Sequence, residues 1–160
     1  MKTLILILLI ALSSTAFSQG DFFKNREADL EVGVNSNFNL YTFEVGLNLT
    51  NYHNKIDLRD LITDAIMLSS EFGFKNNFFL YAPKLTYSYN LALLNGSFNL
   101  INYNFENKHS LYLRPQIGIS MFGYCEIVYG YNIPIIDKTN EFQGSMVTFR
   151  MKLIDVIKEL

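Results

Sequence analysis

Apolar and polar residues alternate with a period of two from Leu111 to Pro134. The first half sets Leu111, Leu113, Pro115, Ile117, Ile119 and Met121 against Tyr112, Arg114, Gln116, Gly118 and Ser120. After a break at 122–124, the second half sets Ile127, Tyr129, Tyr131 and Ile133 against Glu126, Val128, Gly130 and Asn132. This pattern predicts a hairpin of two strands of roughly ten residues each. Strands of that length are able to cross a membrane when they are tilted.

The same alternation recurs along the rest of the chain and predicts eight strands between about residues 28 and 154. It is very clear from Tyr41 to Thr50 and again from Phe79 to Asn90. The segment 51–65 interrupts it, because Leu58, Leu61, Ile62 and Ala65 have helical spacing. We expect a short helix, an ordered loop or a plain connection over one barrel mouth there.

Residues typical of turns separate the predicted strands. Turns are predicted at 36–39, 75–77 and 107–110, and Asn95-Gly96 is the strongest hairpin signal in the chain. The strand over 97–105 has an irregular parity, which predicts a bulge. A loop over 135–144 leads to the last strand, and the chain has no internal repeat. Up-and-down pairing of successive strands is the natural arrangement.

Alternation alone leaves open which face meets water, since an apolar face fills a soluble barrel and faces lipid in a membrane barrel. The charges of the polar face favour lipid. They comprise four acids and four bases, namely Glu31, Glu44, Glu71, Glu126, Lys84, Arg114, Arg150 and Lys152. Such balance suits a narrow interior, where an unpaired charge costs several kcal/mol. We expect the interior network to consist of Glu44, Glu71, Lys84, Arg114, Glu126 and Arg150.

Two further features agree with an outward apolar face. Tyrosines recur on it, as expected for interfacial girdles, at Tyr41, Tyr81, Tyr87, Tyr89, Tyr129 and Tyr131. Glycines recur on the polar face, where they leave room for long side chains and permit curvature, at Gly33, Gly46, Gly73, Gly118 and Gly130. Eight strands enclose a lumen that side chains are able to fill, so we expect a plugged barrel.

The first eighteen residues have the pattern of a secretory signal peptide. Lys2 precedes the apolar run 4–12, and Ala16-Phe17-Ser18 places small residues before a cut at Gln19. The apolar run is too short for a transmembrane helix. This predicts an exported chain with one β-barrel domain over 19–160 and a short tail over 154–160. Cys125 is the only cysteine, so neither an intramolecular disulfide nor a lipid-anchoring cysteine at the cut is expected.

Composition argues against several other functions. Without Lys2 the formal charge falls from −2 to −3, and no basic patch is present to neutralise nucleic-acid phosphates. Two isolated histidines and one cysteine do not form a metal site, and there is no glycine-rich phosphate loop.

A lipid A-modifying enzyme would need a Ser and a His together. His109 and Ser110 are adjacent, so on a strand they would point to opposite faces, although in a turn they could meet.

Three segments carry a resemblance to a known group of proteins. LYLRPQIGIS, VYGYNIP and FLYAPKLTY resemble the L-R-P-E-I-G, Y-G-Y-N and A-P-K strands of small, mostly uncharacterised outer-membrane β-barrel proteins of Bacteroidetes-type bacteria. The Ser18-Gln19 junction is similar to their cleavage site, and the likeness covers roughly 72–153. It implies an architecture and no activity. Gln116 departs from the acid common there, and IDVIKEL follows the last strand where such barrels usually finish on an aromatic residue.

The sequence thus predicts an all-β, eight-stranded, antiparallel, up-and-down transmembrane β-barrel in the outer membrane. A packed polar interior favours a structural or surface-interaction role over an open pore. Its expected partners are outer-membrane lipid and the barrel-assembly machinery, with no cofactor or metal. Two alternatives stay open. One is a soluble, lipocalin-like periplasmic binder of an apolar ligand, and the other is a lipid A-modifying barrel enzyme.

Overall fold

The computed structural model describes residues 26–37, 40–52, 62–76, 78–106, 108–121, 124–136 and 141–153. They form one closed barrel in which each strand pairs antiparallel with the next and the last pairs with the first. The strands are β1 (Arg26–Asn37), β2 (Leu40–Tyr52), β3 (Ile62–Lys75), β4 (Phe78–Leu91), β5 (Leu94–Phe105), β6 (Lys108–Met121), β7 (Cys125–Ile136) and β8 (Gly144–Leu153). This confirms the all-β, eight-stranded, up-and-down architecture. Within the described ranges, no helix is long and apolar enough to span a membrane.

The outer wall of the barrel is apolar, and the register places the apolar outward residues of neighbouring strands side by side. A single row of paired positions crosses seven strands as Leu30, Leu47, Leu68, Leu85, Leu100, Leu113 and Ile133. Directly opposed side chains in neighbouring strands contact each other, so this row forms a continuous aliphatic band. Leu68, at the middle of β3, is 67% exposed. The six tyrosines expected on this face are also exposed.

The inner wall carries the opposite set of residues. Acids, bases, amides and hydroxyls are buried there, including Arg114 and Arg150 among the largest fully buried side chains. Toward the end of the barrel that holds the β3–β4 and β5–β6 turns, the interior becomes apolar, with Leu80, Tyr103, Phe105 and Tyr112. The interior is therefore filled from a charged middle to an aromatic end.

Gly118 on β6 shows how tightly the neighbouring strand approaches. A Cβ built at Gly118 would lie 2.0 Å from the carbonyl oxygen of Ile127 on β7. Gly96 on β5 provides the contrast, since a Cβ there meets nothing within 4 Å. The first glycine is required by packing, and the second is not.

We expect Gly118→Ala to lower the free energy of unfolding by about 1–3 kcal/mol, since overpacking forces the two strands apart. Gly96→Ala adds the same methyl group and should leave stability unchanged or slightly higher. Urea unfolding of the two refolded variants, followed by circular dichroism, measures both. Equal loss in both variants would contradict the close approach of β6 and β7.

The β4–β5 turn differs from the prediction. Asn95-Gly96 lies inside β5, and the chain reverses at Ala92 and Leu93, between the paired residues Leu91 and Leu94. Ala92 has a positive φ of 55°. Asn95 is 1% exposed and donates a hydrogen bond from Nδ2 to Asn90 Oδ1 over 2.6 Å. Asn95 is thus a buried hydrogen-bonding residue of the inner wall and is not part of the turn.

Three smaller expectations are also wrong. β5 contains no bulge, and the irregularity lies between β6 and β7 at Leu111/Tyr112. Residues 51–52 and 62–65 belong to β2 and β3, so no helix or loop forms there. Residues 108–110 belong to β6 and 135–136 to β7, which shortens two predicted turns. The signal peptide over 1–18, the connection over 53–61 and the tail over 154–160 lie outside the described residues.

Candidate functional site

Four charged side chains from four strands meet in the middle of the barrel. Glu44 on β2 and Glu71 on β3 are directly paired in the register, an arrangement that repels when uncompensated. Lys84 on β4 lies between them, with Nζ 2.5 Å from Glu44 Oε2 and 3.0 Å from Glu71 Oε1. Arg114 on β6 reaches across the lumen and places Nη1 2.9 Å from Glu71 Oε1. Each carboxylate is thereby neutralised by a base from another strand.

Arg150 on β8 forms the second half of the network. Its guanidinium lies 3.3 Å from Glu126, 3.8 Å from Glu44 and 3.9 Å from Glu31. It also donates from Nη2 to Gln116 Oε1 over 2.5 Å. Gln116 therefore accepts a hydrogen bond from this arginine without adding a negative charge to the interior.

Glycines on the inner wall make room for the two arginines. A Cβ built at Gly33 would lie 3.0 Å from Arg150 Cγ, and one built at Gly130 would lie 3.1 Å from Arg114 Cγ. In both places the methylene stem of an arginine passes close to the glycine backbone. Small inward residues on one strand thus compensate for long ones on another.

The structure places all six residues proposed from the sequence inside the barrel and joins them into one network. Glu44 links the two halves, since it contacts both Lys84 and Arg150. Glu31 and Lys152, which share the polar face, also lie inside. Lys152 Nζ is 3.1 Å from Asp29 Oδ2, an ion pair nearer the barrel end that holds the termini of the described chain.

Uncharged partners of Arg114 were missed from the sequence. Tyr103 accepts a hydrogen bond from Arg114 Nη2 over 2.5 Å, and Asn132 accepts one from Nε over 2.6 Å. Asn132 lies on the polar face of the predicted hairpin, so its inward direction could be predicted from the sequence. Tyr103 was hidden, because on β5 the inward residues change from polar to apolar while the parity stays regular. The change in composition, and not an extra residue, is the reason for the irregular parity in the sequence.

An aromatic cluster fills the interior beyond this network, toward the β3–β4 and β5–β6 turns. Phe142, in the β7–β8 connection, stacks on Tyr103 with ring centroids 4.4 Å apart. Its carbonyl oxygen accepts a hydrogen bond from Asn132 Nδ2 over 2.8 Å. Lys75 Nζ lies 4.6 Å from the centroid of the Phe142 ring and donates to the carbonyl of Glu141 over 2.9 Å. Charge network and aromatic cluster form one continuous packed core.

The residues considered for other chemistry lie apart. His109 is exposed, with its ring hydrogen-bonded through Nδ1 to Asn104, whereas Ser110 is buried on the inner wall. The pair lies on β6 rather than in a turn, so the two side chains point to opposite faces. In the described part of the chain, no group of three or more His, Cys, Asp or Glu side chains is arranged to hold a metal ion.

Fold and site together define a class: an up-and-down β-barrel of eight strands with a charged, packed interior and an apolar outer wall. No protein-family model, no curated protein and no solved structure matches the chain. The site is made of ion pairs and hydrogen bonds, which link the strands to one another across the interior of the barrel.

Proposed function

We propose that the protein is an outer-membrane β-barrel with a closed polar interior and a structural or surface-interaction role, rather than an open pore. One observation carries the proposal. Charged side chains such as Arg114 and Glu71 are fully buried, while leucines, phenylalanines and tyrosines cover the outside. A closed barrel satisfies every strand hydrogen bond internally, as hydrocarbon requires.

The distribution of polarity is the reverse of that in a water-soluble barrel. Soluble proteins rarely expose contiguous apolar patches larger than a few hundred Å². Here the exposed apolar set runs around the wall, with Phe98 61% exposed on β5 and Ile117 68% exposed on β6. Placed in lipid, this surface needs no protein partner to cover it.

The same distribution argues against the soluble, lipocalin-like alternative. Such a binder needs an apolar cavity in the middle of the barrel. In this barrel the middle holds Lys84, Arg114 and Arg150 with their carboxylates. The apolar part of the interior is occupied by its own aromatic side chains, with Phe142 stacked against Tyr103.

The proposal is tested by a gel of the envelope fraction, prepared in detergent and loaded both unheated and boiled. We expect the protein in the detergent-extracted membrane fraction, with an unheated band that shifts on boiling. A barrel held by a complete ring of strand pairs resists detergent at room temperature and unfolds only on heating. Recovery in the soluble periplasmic extract, without detergent, would overturn the membrane location.

A further inference from the structure

Lys108, the first residue of β6, differs from the other basic residues that the structure describes. Each of the others lies in an ion pair with a carboxylate, namely Arg26, Lys75, Lys84, Arg114, Arg150 and Lys152. Lys108 is exposed and forms no such pair within the described ranges.

Lys108 lines a groove of about 740 Å³ at one end of the barrel wall. The groove lies where β4 extends beyond β5. The pairing of the two strands runs as far as Tyr81 opposite Asn104, whereas β4 begins three residues earlier, at Phe78. One part of the lining is aromatic, with Phe79 and Tyr81 on the outer face and Phe78 and Phe105 at the rim. The polar part consists of Glu106, Lys108, His109 and Asn104.

The groove lies where the outer wall changes from apolar to polar. Outward residues along β5 run from Phe98 and Leu100 to Asn102 and Asn104 toward this end. Phe79, 57% exposed, stands on the neighbouring strand at the same end. A molecule in the groove would therefore touch the apolar band with one part and polar side chains with another.

From this geometry we propose that the groove binds a phospholipid whose head group carries both a phosphate and a primary amine. Lys108 supplies a cation for the phosphate, and Glu106 supplies an anion for the ammonium group. Charge-assisted hydrogen bonds of this kind are stronger than neutral ones. The aromatic rings of Phe79 and Tyr81 receive the upper part of the acyl chains, a position in which aromatic residues are favoured at membrane interfaces.

His109 contributes as a positioning residue. Its Nδ1 is hydrogen-bonded to the Asn104 side chain across the β5–β6 pair, which fixes the ring on the outer face of β6, next to the first residue of the strand, Lys108. With Nδ1 engaged in this way, Nε2 is the ring nitrogen left for the groove. The inference rests on the proposed membrane location, because the ligand is a lipid.

Native mass spectrometry of the refolded mature chain tests the inference, with phosphatidylethanolamine, phosphatidylglycerol and phosphatidylcholine of identical acyl chains as probes. We expect phosphatidylethanolamine to bind most tightly. Lys108→Gln should weaken it about tenfold, the loss of one charge-assisted hydrogen bond. Glu106→Gln should weaken phosphatidylethanolamine and leave phosphatidylglycerol unaffected, since the latter has no ammonium group.

Lys75→Gln serves as the matched control, because Glu141 neutralises that lysine at the same barrel end. It should leave all three affinities unchanged. Equal affinities for the three lipids, or no effect of Lys108→Gln, would overturn the proposed lipid binding in the groove. The membrane location, which the heat-shifted band tests, would be unaffected by that result. Free phosphoethanolamine competing as well as the lipid would overturn the lipid assignment. Recovery of the chain in the periplasmic extract would instead remove both proposals together.

Discussion

Arg114→Leu is expected to cost about 3–5 kcal/mol of unfolding free energy, the range for removing one partner of a buried ion pair. Arg114 is fully buried and binds Glu71, Asn132 and Tyr103 through its guanidinium. Leucine leaves these groups without their donor in a medium that cannot replace it. Lys84 still pairs with Glu71 at 3.0 Å. The loss of unfolding free energy is therefore smaller than for a buried carboxylate left with no cation.

Urea unfolding in detergent micelles measures the effect, with circular dichroism as the signal. The double variant Arg114→Leu, Glu71→Gln should recover part of the loss, because it removes the carboxylate that the single change leaves short of a partner. Lys108→Leu is the matched control, since it removes an exposed base that has no ion pair with any described residue, and it should stay within about 0.5 kcal/mol of the parent. An Arg114→Leu variant as stable as the parent would contradict the role of this arginine in the interior.

The alternation of side chains predicted the barrel well because one physical contrast operates along every strand. In the middle of the barrel, inward positions are confined and polar and outward positions are apolar, so a period of two is visible along every strand. The inward position of Arg114 followed from its parity with Gln116 and Ser120 alone. The contacts that it makes across the lumen did not follow, since parity says nothing about which strands lie opposite in a closed ring.

The errors arose where local composition and the register of the barrel disagree. Asn95-Gly96 has the residues of a tight turn, yet the register assigns Asn95 to the inner wall, where it bonds Asn90 and Glu126. The turn falls instead on Ala92, which accepts a positive φ. Phe142 shows a second limit. A connection has no periodicity, so its insertion against Tyr103 was not readable from the sequence.

Leu68→Arg is expected to cost about 2–4 kcal/mol when the barrel is folded in lipid vesicles, the range for arginine near the bilayer midplane. Leu68 lies at the middle of β3, between Leu47 and Leu85 in the apolar row, and is 67% exposed. The guanidinium would have to remain in hydrocarbon or distort the bilayer to reach water. Unfolding in urea from vesicles provides the measurement.

Asn102→Arg is the matched control, because it adds the same side chain to the outer wall where β5 has become polar. Near an interface the cost should fall to about 0–1 kcal/mol. The difference between the two variants thus reports depth in the bilayer rather than any general intolerance of arginine. If the outer wall faced water, Leu68→Arg and Asn102→Arg would have similar small effects, since an arginine at an exposed site away from special contacts changes stability by about 0.5 kcal/mol at most. Equal effects in vesicles would therefore mean that Leu68 does not face lipid, and the apolar band would need another explanation.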